Sequence, residues 1–259
     1  MSAPAERSVA VNGVPCRIWE KGKGSPLVYL AGLAGLPRWT PFLDRLAEHR
    51  RVIAPSLPGF PGAAGHDQLD TLLDWIAATL DLLEGAGFSG GDLVGASVGG
   101  ALAAEVAAMA PALVRCLVLI APFGLYDPAI PPLDLWGQKP GVGPALVTAQ
   151  PDTYKAFTAP PEGADTNEWP IILSRANEAA ARILWPLADT RLARRLHRVR
   201  CPTLVLWGTE DKVLAPAYAK RFAEGIAGRT TMKLIPGAGH LADLDAPGAC
   251  AEAVLAALA

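Results

Sequence analysis

The run Gly95-Ala96-Ser97-Val98-Gly99-Gly100 sets a serine between small residues at minus two and plus two. The apolar stretch Asp92–Ala96 ahead of it reads as a strand. The Ala-rich stretch Gly99–Ala110 behind it reads as a helix that stops before Pro111, because proline cannot continue one. A sharp strand-to-helix turn would lift the Ser97 hydroxyl above the sheet edge, and only small neighbours let the backbone reverse so tightly. The N–H groups and positive dipole end of the following helix would face any negative charge that develops there. A Gly-Ser turn by itself is common. This strand–helix context makes Ser97 a candidate nucleophile for attack on an acyl carbon.

A free serine hydroxyl needs a base. The chain has four histidines. His49 lies among charged residues at a helix end, His66 in a Gly-rich loop and His197 in the Arg-rich run Arg191–Arg200, and all three read as surface residues. His240 follows the last apolar strand in Pro236-Gly237-Ala238-Gly239-His240-Leu241, at the carboxyl edge where ligands of open sheets gather. It is the candidate base, against the plain alternative of a residue that closes the final loop. An acid must hold its tautomer. Asp211, in Gly208-Thr209-Glu210-Asp211 after the strand Thr203–Trp207, fits best. Glu210 and Asp127 compete with it. Asp243 and Asp245 sit too near His240 in sequence and read as caps of the last helix.

The tetrahedral intermediate needs two N–H donors. The Val98 N–H is one candidate. Leu33, in the Gly-rich loop Ala31-Gly32-Leu33-Ala34-Gly35, offers the other. An ordinary strand-to-helix turn at that loop is compatible with the same role.

These residues need a scaffold. Leu27–Ala31, Arg51–Ala54, Asp92–Ala96, Val114–Ala121, Thr203–Trp207 and Thr231–Ile235 are short apolar runs of the kind covered on both faces. Val9–Val11 and Cys16–Trp19 flank Asn12-Gly13, a strong hairpin signal. Between the strands, Leu69, Leu72, Leu73, Ile76, Leu80 and Leu83 suggest one helical face. Ala217–Ile226 and Ala249–Leu258 suggest the last two helices. Alternation of strand and helix predicts an α/β fold, a mostly parallel sheet with helices on both sides. From Pro122 to Leu192 no strand is evident, but prolines, Trp136, Trp169, Trp185 and a helical stretch at Ile171–Leu184 are. That length exceeds a plain loop. The expected organisation is a core of residues 1–121 and 193–259 with a helical cap inserted at 122–192.

Composition narrows the function. The chain has 259 residues, of which 51% are hydrophobic and 19% charged, so disorder is not expected. A net charge of −2 with no basic tract argues against nucleic acid as partner. No apolar run reaches bilayer length, and Met1–Gly13 carries no apolar leader, so a cytoplasmic protein without membrane association is the expectation. The four cysteines form no CxxC pair and no metal-ligand spacing, and read as reduced thiols.

Three landmarks in order, Gly95–Gly100, Leu204–Pro216 and Ile235–Leu241, resemble the α/β-hydrolase superfamily. The likeness is greatest to its capped single-domain serine hydrolases, the carboxylesterases, meta-cleavage-product hydrolases and cofactor-free haloperoxidases. It runs from about Val14 to the C-terminus and is weakest in the cap. The resemblance implies a Ser97–His240–Asp211 triad with Leu33 and Val98 at the oxyanion, and neither metal nor organic cofactor. Departures refine it. Many relatives have His-Gly where Ala31-Gly32 stands, and Asp where Ser56 stands. Dehalogenases and epoxide hydrolases of this fold use an aspartate nucleophile, against which Ser97 speaks. Carbon–carbon hydrolases similar to this group carry Asn before the serine and Trp after the histidine, where this chain has Ala96 and Leu241. Phe123, Trp136, Trp185, Val213 and Leu241 are the expected pocket wall, suited to a small-molecule, modest-sized apolar ester. Trp169 is expected to pack the cap instead. Arg175 or Arg182 could anchor a carboxylate, though each reads first as a solvent-exposed residue. Carbon–carbon cleavage is the leading alternative, followed by lactone, thioester or perhydrolase chemistry and by a non-enzymatic ligand-binding role.

Overall fold

The computed structural model describes residues 3–139, 141–186 and 189–259. Strands β1 (Ala5–Val11) and β2 (Val14–Lys21) form the opening hairpin. Its turn uses Asn12 and Gly13 with φ of 50° and 77°, the left-handed conformation that a two-residue hairpin of this type requires. Then follow β3 (Pro26–Leu30), α1 (Pro41–Ala47), β4 (Arg51–Pro55), α2 (Leu72–Gly85), β5 (Gly91–Ala96), α3 (Ser97–Met109) and β6 (Val114–Ile120). Between β6 and the next strand the described residues hold three helices and no strand: α4 (Gly143–Val147), α5 (Pro151–Thr158) and α6 (Glu168–Leu184). The chain closes with β7 (Thr203–Gly208), α7 (Tyr218–Gly225), β8 (Thr230–Ile235), α8 (Ala242–Asp245) and α9 (Pro247–Ala257).

All eight strands join one sheet in the order β1-β2-β4-β3-β5-β6-β7-β8, parallel from β4 onward. Alternate side chains of the central strands enter two separate cores. Val28, Leu30, Leu93 and Leu119 pack beneath α2, α3 and α6, while Leu27, Tyr29, Val94 and Ile120 pack against α1 and α9. Burial on both faces is why these strands read as near-continuous apolar runs. The edge strand β8 differs, for Met232 and Leu234 are about half exposed. No helix among the described residues is long and apolar enough to cross a membrane.

The face expected for α2 is corrected. Leu69 precedes the helix and Leu73 is exposed, whereas Trp75, Ile76, Ala78, Thr79, Leu82 and Leu83 are buried. The cause is local. Thr71 and Asp74 form a capping box that starts the helix at Leu72, and the buried stripe is counted from there. Helix α1 is anticipated from the sequence only as the helix end beside His49. Thr40 caps it and Pro41 opens it, both ordinary start signals in a segment of only seven residues.

The Arg-rich run is not only surface. Arg195 reaches Glu105 of α3 through two hydrogen bonds of 2.7 and 2.6 Å, and also donates to the Thr190 carbonyl. The Glu105 side chain is 1% exposed. Breaking such a pair leaves a buried charge uncompensated. Arg195→Ala should therefore lower stability by about 3 kcal/mol. The double change Glu105→Gln with Arg195→Met should recover most of that loss, both read from urea midpoints.

Candidate active site

The order of strands reverses between β3 and β5, so the loops after these two strands diverge and leave a crevice at the sheet's carboxyl edge. Ser97 stands there, at the first residue of α3, with φ of 53°. A non-glycine residue in this region is strained, and the surroundings show what enforces it. A Cβ on Gly95 would sit 2.5 Å from the Gly99 carbonyl, and one on Gly99 would strike the Ala31 and Leu30 carbonyls. A Cβ on Gly100 would come within 2.9 Å of Pro122. The turn is thus packed backbone against backbone, and the Phe123 N–H adds a 3.2 Å hydrogen bond to the Ser97 carbonyl.

His240 lies five residues beyond β8 and Asp211 three beyond β7. The Ser97 Oγ is 2.8 Å from His240 Nε2, and His240 Nδ1 is 3.0 Å from Asp211 Oδ2. With Asp211 accepting from Nδ1–H, the Nε2 lone pair faces the serine hydroxyl. The other carboxylate oxygen of Asp211 accepts the N–H groups of Val213 and Leu214 at 2.8 and 2.9 Å. The competing carboxylates are elsewhere: Glu210 is exposed, and Asp127 pairs with Arg221 and caps the Ala129 N–H. Of the other histidines, His49 and His197 are exposed. His66 is not a surface residue. It is buried, with Nε2 3.4 Å from Glu178 on α6, because the turn at Gly65 folds it beneath that helix.

Ser97 and His240 are both fully buried. Gly32 lies against Ser97, since a Cβ there would come within 3.1 Å of the serine Cβ. This brings the loop carrying Leu33 beside Ser97. Val98 is the next residue of the turn itself. Phe123 meets the His240 ring edge-on, with centroids 5.1 Å apart. Its other neighbours line an apolar cavity of about 440 Å³ that includes Trp136 and Trp185. Leu33 and Leu241 line a second, much smaller cavity beside the Gly32–Leu36 loop. Val213 is not among the residues lining either one. Its backbone holds Asp211 and accepts the Leu133 N–H. Trp169 is buried, with Nε1 on the Thr158 carbonyl, and so packs α6 onto α5.

The expectation that Asp243 and Asp245 cap the last helix is corrected. Pro247 opens α9, and both carboxylates precede it on the separate turn α8, facing inward. Asp245 Oδ2 accepts the Gly239 N–H at 2.7 Å and the Ala149 N–H at 2.8 Å, and Val147 accepts the Leu241 N–H at 2.9 Å. The histidine loop is thereby tied to α4 and its following turn. Asp243 accepts the Tyr29 hydroxyl at 2.6 Å, while its Oδ1 has no partner. Sequence reasoning missed this pair because the partners are 214 residues apart.

The comparisons with known proteins agree with this architecture. Residues 27–253 match the model of the alpha/beta hydrolase family, and the chain belongs to that family. A dihydrolipoyllysine-residue acetyltransferase component of an acetoin cleaving system from Pseudomonas putida is 32% identical, spanning 98% of this chain and 70% of that protein. A 2-hydroxy-6-oxo-2,4-heptadienoate hydrolase from Pseudomonas putida is 28% identical, spanning 83% of this chain and 82% of that protein. The crystal structure of a serine hydrolase involved in carbazole degradation, the CarC enzyme, covers 99% of both chains with a TM-score of 0.72 and 29% identity.

Burial pushes the Asp243 carboxyl above its ordinary value, and the Tyr29 hydrogen bond opposes the shift. The folded chain therefore binds a proton there more tightly than the unfolded chain. Stability from this group is complete below the unfolded carboxylate pKa and falls as pH rises through the folded value. Asp243→Asn should flatten that fall in a plot of urea midpoint against pH, and an unchanged slope would count against the assignment. Tyr29→Phe, which strips Asp243 of its one side-chain donor, should cost about 1.5–3 kcal/mol at neutral pH.

Proposed function

We propose that this member of the alpha/beta hydrolase family cleaves a carboxylic ester by acyl transfer through Ser97, His240 and Asp211. The observation that carries the proposal is the continuous relay from Asp211 through His240 to the Ser97 hydroxyl. His240 takes the serine proton as Ser97 attacks the acyl carbon. The N–H groups of Val98 and Leu33 are the proposed oxyanion donors. The imidazolium, steadied by Asp211, then protonates the leaving alcohol. Water repeats the sequence to release the acid. No step calls on a metal or an organic cofactor.

The substrate proposed is a modest-sized carboxylic ester with an apolar acyl group. Phe123, Trp136 and Trp185 line the larger cavity, and Leu241 closes the smaller one. In this reading the helical segment within 122–192 acts as a cap, and the protein works in the cytoplasm. Carbon–carbon bond hydrolysis is the second reading. It is favoured by the likeness to the heptadienoate hydrolase and the carbazole-degradation enzyme. Ala96 and Leu241, where such hydrolases carry Asn and Trp, favour the ester.

A fluorophosphonate probe should label the wild-type protein and leave Ser97→Ala unlabelled. Asp211→Asn should lower kcat for a nitrophenyl ester by about 10⁴, the size of loss seen in a serine-protease triad whose histidine is held in the wrong tautomer. Turnover of a ring-cleavage dienoate with no turnover of nitrophenyl esters would replace the ester reading with the second one.

A further inference from the structure

The larger cavity carries a pattern that an apolar ester does not need. It is walled by Phe123, Leu133, Trp136, Leu184 and Trp185, and Asp134 is the one charged side chain lining it among the described residues. The Asp134 carboxylate is asymmetric. Its Oδ1 accepts the N–H groups of Trp136 and Gly137, both at 3.0 Å. Its Oδ2 takes part in no hydrogen bond among the described residues and faces solvent. The Trp136 ring is held as well, because its Nε1 donates to the Asn177 carbonyl on α6 at 3.2 Å. The arginines that could reverse the charge are not there. Arg182 bonds to Glu178, and neither it nor Arg175 lines the cavity.

Asp134 and the two indoles stand at the open rim of one cavity, with Trp136 44% and Trp185 77% exposed, where a cation can approach the carboxylate and the rings from solvent. Indole faces attract ammonium groups, most strongly for methylated ones that shed water readily. The free oxygen of Asp134 supplies the net charge. A ligand carboxylate would meet the same oxygen with no compensating donor, a juxtaposition that costs affinity. We propose that this cavity binds a quaternary or protonated ammonium group on the substrate, with Trp136, Trp185 and Asp134 as its walls. Phe123 lines this cavity and also meets the His240 ring edge-on, so in this proposal Phe123 stands between the ammonium group and the histidine. The proposal rests on the acyl-transfer reading only for the place of the scissile bond.

The test compares a choline ester with the matching 3,3-dimethylbutyl ester, which replaces N(CH₃)₃⁺ by C(CH₃)₃ at nearly constant shape. Calorimetric binding of choline and 3,3-dimethylbutanol runs in parallel. In the wild-type protein the choline ester should have at least a fivefold lower KM than its uncharged isostere, and choline should bind correspondingly tighter. Asp134→Asn, which keeps the turn and removes the charge, should bring both ratios toward one, as should Trp136→Leu. A wild-type ratio of one or less, or a ratio that survives Asp134→Asn, overturns the proposal. The binding arm separates it from the acyl-transfer reading. Preferential choline binding without ester turnover leaves the cation site standing and refutes the ester. Labelled Ser97 with no preference does the reverse.

Discussion

Everything at this sheet edge depends on the left-handed turn at Ser97. Strain of that kind costs about 1–3 kcal/mol and persists only where the surroundings leave no alternative. Here the surroundings are three close backbone approaches. Gly95 meets Gly99, Gly99 meets the end of β3, and Gly100 meets Pro122 beyond β6. The turn therefore fixes more than a hydroxyl. It sets the spacing between α3 and the loops that follow β3 and β6. One of those loops carries Leu33 and the other carries Phe123. Relaxing φ at Ser97 would move all three elements together.

The same economy governs the histidine. His240 sits on a loop stitched from both sides. Toward β7, Glu210 donates to the Ala238 carbonyl and Gly237 donates to Thr209. Toward the helical segment, Asp245 gathers the Gly239 and Ala149 N–H groups. The imidazole is thus positioned by a carboxylate that it never touches. This arrangement couples the segment between β6 and β7 to the reacting groups. A shift of α4 pulls on Leu241 through the Val147 carbonyl, and Leu241 adjoins His240.

The parallel sheet was legible because its strands are buried on both faces and run apolar without interruption. The relay from Asp211 to Ser97 was legible because each member follows a strand at its carboxyl end, where the chain must turn. Errors arose where the deciding interaction is remote or sub-local. The face of α2 was misread because leucine spacing ignored the capping box at Thr71, which sets where the helix begins. His66 read as surface because nothing near it in sequence reveals that α6 will cover it. Asp243 and Asp245 read as caps because they lie just ahead of the last helix, whereas in the fold they form a separate turn whose carboxylates reach β3 and the histidine loop. The cavity wall was half legible. Aromatic residues announced Phe123, Trp136 and Trp185, but Val213 turned out to serve Asp211 through its backbone, a role no side-chain property signals.

Two buried carboxyl groups flank the histidine loop, and their surroundings divide the work between them. Asp211 receives Nδ1 of His240 on one oxygen and two backbone N–H groups on the other, so its orientation is fixed from three directions. Asp243 receives one hydroxyl, keeps one oxygen without a partner, and is raised in pKa by burial. The first arrangement suits a group that must aim an imidazole and stay in place while charge appears on the ring. The second suits a tie between β3 and the turn after His240, one that holds only while the Tyr29 hydroxyl is present. The chain has alanine, not histidine, at position 31, so the loop after β3 has no ring at its base to brace it. The hydrogen bond from Tyr29 to Asp243 braces the same strand two residues earlier, from the side of the histidine loop. A buried, half-satisfied carboxyl is a costly brace, and its place beside the candidate nucleophile fits a need to hold β3 and its loop close to Ser97.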